Sequence, residues 1–304
     1  MPRQPNRWLC FLLALVLTLS WGLGHRSQAQ PAPNAEQLVE QGVQFYRQGN
    51  YQRALQNWQA ALERYQTSQN QLAQAIVWEN IARAYGRLGQ SDPEIAAWHQ
   101  TLAYYREQQA ESKMGQLLTE IAHSHLRLGK AKEAIALLCS TEAIDADVPE
   151  TACAPGSAIQ IAQTHQDRRG LMAALGNLGE AYRLYGRSDR AIVVFKSAQH
   201  LSASTQEVNL LNSLGNAYFS QAYRDEQRAY SAGLRGAVQQ SQTLLAAASQ
   251  QFQQAIDYFG RSSQLADDKF LQLQALLGLL QLYYFPRQST ATNIAAGEAI
   301  AQQP

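Results

Sequence analysis

Charge is scarce in this 304-residue chain: Asp, Glu, Lys and Arg make up 16% of it, and the formal net charge is +1. Binding nucleic acid takes a basic face that neutralises phosphates, so a near-neutral chain argues against that partner. There are three cysteines and no Cys-x-x-Cys, which argues against dithiol redox catalysis. His-Glu-x-x-His, Gly-x-Ser-x-Gly and phosphate-cradling glycine loops are all missing. His123 and His125 are two apart and would point in different directions on a helix, not at one metal ion. The carboxylates are scattered over predicted helix surfaces, where solvent satisfies them. These absences predict a protein that is not an enzyme and needs neither cofactor nor metal.

Long apolar runs are equally few. One stretches from Trp8 to Leu23, after Arg3 and Arg7, and Ser27-Gln28-Ala29 places small residues at −3 and −1 of a cleavage site. It is shorter than the ~20 residues of a transmembrane helix. The layout predicts a signal peptide over residues 1–29, cleaved after Ala29, and a periplasmic or secreted mature chain. An uncleaved N-terminal membrane anchor is the alternative. Cys10 lacks the small residues that precede a lipidated cysteine, and no other segment is read as entering a membrane. Cleavage removes Cys10 together with Arg3, Arg7 and Arg26, which takes the net charge from +1 to −2. Cys139 and Cys153 remain. An even count in an oxidising compartment predicts a disulfide between them; the alternative is two free thiols.

What the chain does have is a period. Gly49, Gly89 and Gly129 are spaced 40 residues apart, inside matching apolar patterns. With each glycine at position 15 of its unit, position 4 is Leu38, Trp78 and Leu118, and position 8 is Gly42, Ala82 and Ala122. Position 11 is Phe45, Tyr85 and His125; position 24 is Trp58, Trp98 and Leu138; position 27 is Ala61, Thr101 and Thr141. A further unit from Met172 carries Leu175, Gly179, Tyr182, Gly186, Phe195 and Ala198 at the corresponding places. Positions 4, 7, 8 and 11 share one face of a helix. Small residues at 8 and 20 let two helices approach, large ones at 4, 11 and 24 fill the space between, and Gly at 15 suits a helix end. His125 is most simply a core aromatic.

These positions and residue types resemble the tetratricopeptide repeat, from Ala35 to near the end of the chain. The resemblance implies an all-α, right-handed superhelical solenoid of antiparallel helix hairpins with about five or six units. The 40-residue spacing exceeds the usual ~34 and resembles the long-helix repeats of kinesin light chains, as does Ile159-Gln160-Ile161-Ala162-Gln163 with the following Asp167-Arg168-Arg169-Gly170. After a linker at 30–34, the units fall near 35–74, 75–114, 115–171, 172–207, 208–268 and 269–304. The third holds an insert of 17 residues with both cysteines, read as a loop, and the fifth an insert of 28 around Gly233 and Gly236, read as an elongated helical hairpin. The last unit is partial: Leu276, Leu279, Leu280 and Tyr283 open it, and Glu298-Ala299-Ile300-Ala301 resembles the start of its second helix.

In such repeats the first helices line a groove through positions 2, 5, 6, 9, 12 and 13. Carried onto this chain, the groove set is Asn80, Arg83, Arg87, His123, Arg127, Asn177, Glu180, Arg183, Asn212 and Asn216. Asn both donates and accepts, which suits the backbone of an extended peptide; the arginines suit carboxylates. The Lys/Asn carboxylate clamp of chaperone-binding repeats is not matched. The resemblance therefore implies a scaffold binding a peptide or protein segment. Two alternatives stand beside it. Signal peptide, long-helix repeats and an elongated hairpin also resemble the repeat half of bacterial CHAT proteins, whose caspase-like domain would be missing here, leaving a sensor module. A homo-oligomer joined through the apolar C-terminal helices is the other.

Overall fold

The computed structural model describes residues 33–284 apart from 147, 148, 150, 151, 202 and 203. Among the described residues are twelve α-helices, one 3-10 turn and no strand. Helices α1 (Ala35–Arg47) and α2 (Tyr51–Thr67) make the first hairpin, and α3 (Gln71–Arg87) and α4 (Ser91–Glu107) the second. Next come α5 (Glu111–Arg127), α6 (Ala131–Leu138) and the short α7 (Ala158–Thr164). Then α8 (Arg168–Leu184) pairs with α9 (Ser188–Leu201), α10 (Ser204–Leu234) with α11 (Val238–Leu265), and α12 (Lys269–Tyr284) closes the described stack. Each helix packs on its neighbours in the chain. The result is a solenoid of antiparallel hairpins.

Helix length explains the period. Helices α2 to α5 each run 17 residues, and three-residue joints between them complete the 40. At the joint within a hairpin, Gly49, Gly89, Gly129 and Gly186 hold φ between 70° and 87°, where a Cβ is disfavoured. At the joint between hairpins Gln69, Gln109 and Gln166 take φ of 52–55°. Side chains of Asn50, Asn70 and Asp167 cap the helices that follow by accepting a backbone N–H.

The small residue at position 8 receives the aromatic of position 24. The indole of Trp58 packs over Gly42 and donates to the Val39 carbonyl at 3.2 Å. The rings of Phe195 and Phe259 cover Gly179 and Gly215 in the same way. One buried core threads the stack from Ala54 to Ala217.

The spacing of the left-handed glutamines locates the first insertion. Gln69 and Gln109 are 40 apart, whereas Gln109 and Gln166 are 57 apart, so 17 residues intrude between them. They enter in the middle of the third unit's second helix. Helix α6 stops at Leu138, position 24, and α7 resumes at Ala158, which takes position 27. The assignment of Thr141 to that position is thus corrected: Thr141 is exposed in the loop, and Ala158 and Ile161 meet Gly115 of α5 instead. Cys139 and Cys153 are joined in a disulfide across the mouth of the loop, and the Ala154 N–H donates to the Cys139 carbonyl at 3.0 Å. The loop lies on the next unit, where the Tyr182 hydroxyl donates to the Ala143 carbonyl and Tyr185 to the Asp145 carboxylate, both at 2.9 Å.

The fifth hairpin is an arm. Helices α10 and α11 have 31 and 28 residues and turn at Gly236, whose φ is +71°. Ala229, Ala232 and Ser241 are fully buried between them, and the Ser241 hydroxyl donates to the Ala229 carbonyl at 2.8 Å. Small side chains allow this close approach. At about 1.5 Å per residue, the extra length carries the arm roughly 20 Å past its neighbours.

Helix α12 packs on α11 and α10 and leaves Leu273, Leu276, Leu277 and Leu280 about half exposed. Among the described residues no helix is long and apolar enough to cross a membrane. The signal-peptide reading and the Glu298-Ala299-Ile300-Ala301 half-helix lie outside the described residues.

Candidate binding groove

Three successive first helices, α5, α8 and α10, line a pocket of about 470 Å³. No second-helix residue contributes. Its apolar lining includes Leu126, Met172, Leu184 and Leu210. Around these stand His123, Arg127, Asn177, Glu180, Asn209 and Ser213.

The charges here already have partners. Arg127 reaches back from α5 to α4, where it pairs with the Glu94 carboxylate and lies 3.4 Å from the Ser91 hydroxyl. Glu94 replaces the usual small residue at position 20, and Gly86 opposite leaves it room. Burial lowers the Arg127 pKa from its ordinary value, because desolvation penalises the charged form. Arg183 donates twice to Glu180, at 2.8 and 2.6 Å, and these hydrogen bonds raise its pKa further. The Asn177 amide donates to the Thr119 carbonyl of α5 at 3.2 Å. With both ion pairs closed internally, the pocket presents amide, hydroxyl and imidazole groups above an apolar lining.

Of the groove set chosen from sequence, His123, Arg127, Asn177 and Glu180 line this pocket, and Arg183 holds Glu180. The second-unit members lie apart. Arg83 pairs with Glu79, which Lys113 also reaches at 3.0 Å, and Arg87 donates to the Tyr46 hydroxyl at 3.3 Å. Asn80 is half-buried and Asn216 exposed, both outside the pocket. Asn212 is corrected: it is 6% exposed and sits under α12, where its amide lies 3.5 Å from the Leu271 carbonyl. Asn209 and Ser213 line the pocket in its place. They hold positions 2 and 6 of the fifth unit, so the repeat frame designates them. Asn212 holds position 5 of the same frame, so it is its burial under α12 and not its position that removes it from the groove.

His125 has the core place that its repeat position implies, half-buried, with a buried Nδ1 that makes no hydrogen bond. Burial lowers its pKa. Among the described residues no group of three or more His, Cys, Asp or Glu side chains could hold a metal ion.

No protein-family model matches the chain, and no curated relative does. Solved structures do. BtubC (BKLC) from P. vanneervenii is similar over 83% of this chain and 86% of its own, with 17% identity and a TM-score of 0.52. A Signal Transduction ATPase with Numerous Domains protein with a tetratricopeptide repeat sensor, from Pyrococcus horikoshii, is similar over 93% of this chain and 43% of its own, with 11% identity and a TM-score of 0.53. Identities this low speak to the fold alone. In fold, the chain is a tetratricopeptide-repeat solenoid with long helices.

Proposed function

We propose that this chain is a non-catalytic scaffold, working outside the cytoplasm, that holds an extended peptide or protein segment in the groove of α5, α8 and α10. The observation that carries the reading is the makeup of the pocket. Three consecutive first helices build it, its charges are paired internally, and its remaining polar groups are Asn177, Asn209, Ser213 and His123. Amide, hydroxyl and imidazole groups over an apolar lining suit a peptide backbone with a neutral or apolar side chain directed inward. The location outside the cytoplasm is supported by the N-terminal layout and by the disulfide, since such bonds persist in oxidising compartments.

The test is a selection from a displayed random peptide library on the mature chain, followed by affinity measurement with Ala173→Arg. Ala173 is exposed and lines the pocket, so the long side chain fills the space without disturbing the core. Loss of about tenfold or more in affinity supports the groove; unchanged affinity places the peptide elsewhere and sinks the assignment. A second reading, self-association through α12, rests on its four half-exposed leucines. A mass that stays monomeric as concentration rises removes it.

A further inference from the structure

The arm is a long stretch in which basic residues stand without acidic ones. From Gln227 to Ile256 the sequence holds Arg228 and Arg235 and not one acidic residue. The two acids just before this stretch, Asp225 and Glu226, are 8% and 7% exposed. Asp225 accepts from Gln251 of α11 at 3.0 Å.

Arg224 and Arg228 lie at i and i+4 on α10, which puts them on one face, and Arg235 follows in the turn just past Leu234. With Gln227, Ser231 and Gln240 they line a groove of about 520 Å³ along the two arm helices, and no carboxylate is part of that lining. Two of the three arginines are held from below. Arg224 donates to the Ser188 hydroxyl at 2.8 Å, and Arg228 lies 3.5 Å from Asp225. A guanidinium has five N–H donors, so one such contact leaves others for a ligand. Holding the side chain in advance also lessens the entropy lost when a ligand arrives.

We propose that this face of the arm is a second docking site, for an acidic peptide segment whose Asp or Glu carboxylates meet the arginine row. Arginine matches a carboxylate with paired N–H donors, and Gln227, Ser231 and Gln240 supply hydrogen bonds for the intervening backbone. A flat anionic membrane fits less well. The arginines run along the arm instead of gathering at its tip, where Leu234 is the exposed apolar side chain beside Arg235.

The experiment compares fluorescent octaglutamate with octaglutamine by anisotropy, on the mature chain, at low and at physiological salt. Octaglutamate is expected to bind and octaglutamine not, with affinity falling as salt screens the contact. The double substitution Arg228→Gln and Arg235→Gln, at exposed positions, is expected to weaken binding about tenfold or more with an unchanged melting temperature. Equal binding by the double variant overturns the proposal, as does equal binding of the two peptides. Vesicles of phosphatidylglycerol form the remaining arm: capture by vesicles without octaglutamate binding overturns the peptide in favour of a membrane. Ala173→Arg should leave octaglutamate binding untouched, so failure here and failure of the groove reading are separately visible.

Discussion

The ring of Phe195 lies where a side chain on residue 179 would have to go: a Cβ on Gly179 would come 2.5 Å from Cε1. Three residues earlier in the same helix, a Cβ on Gly176 would meet nothing within 4 Å. The pair makes an internal control. Gly179→Ala should destabilise by about 1–3 kcal/mol through overpacking. Gly176→Ala should be neutral or stabilising by up to about 1 kcal/mol, since it removes backbone freedom from the unfolded chain at no steric cost. Denaturant melts of both variants check this, and equal destabilisation would refute the packing argument.

Glu94 and Arg127 tie the second unit to the third, with side chains 6% and 33% exposed. Arg127→Ala strands a buried carboxylate and should cost about 3 kcal/mol, the low end for breaking such a pair because the arginine side reaches water. Glu94→Ala restores the small residue found at position 20 in other units. The double variant Glu94→Ala, Arg127→Ala should therefore be more stable than Arg127→Ala alone. A full mutant cycle with additive costs would show the two groups to be uncoupled.

His125 titrates with a depressed pKa, first because of burial, against opposing contributions from Glu133 and Asp92 and with Lys130 and His99 adding to the fall. A lowered folded-state pKa means the unfolded chain takes up the proton first. Stability from this residue is present above the unfolded value of about 6.5 and is lost as pH drops through the folded pKa. His125→Tyr, which installs the ring other units carry at position 11, should flatten the part of the acid dependence due to this site. Melting temperatures at neutral and mildly acidic pH measure it; identical slopes for the two proteins would remove His125 from the account.

The Cys139–Cys153 bond spans a sequence separation of 14. Closing a loop of about this size stabilises by roughly 3 kcal/mol in the chain-entropy view. Labelling of the denatured chain from residue 30 onward should find no free thiol, and reduction should lower the melting temperature. Two labelled sites, or no change on reduction, would contradict the bond or its contribution.

Much of the fold is written in the sequence because the repeat is periodic: the first four units restate Gly at 15, a small residue at 8 and a large one at 24, so errors in one are corrected by the others. The arm is carried by composition, with no proline between Arg224 and Gln251 and a glycine at its turn. Residues whose setting depends on a single non-repeating event are harder. Thr141 follows Leu138 at the right count, and nothing local says that the helix has broken and will resume at Ala158. Asn212 has the side chain of a groove residue, but α12, whose Leu271 carbonyl lies 59 residues on, covers it. Asn209 and Ser213, at positions 2 and 6 of the same unit, line the pocket but were not among the residues chosen from sequence.

The broken helix has one more consequence. Because α7 re-enters at the angular place α6 would have reached, the insertion alters length without altering phase. Helix α8 meets α5, α6 and α7 together, and the first-helix face carrying the groove continues past the break. Extra chain is thus accommodated at the edge of the solenoid while its inner face keeps its geometry. Edge and groove can then diverge independently, one by length and the other by side chain.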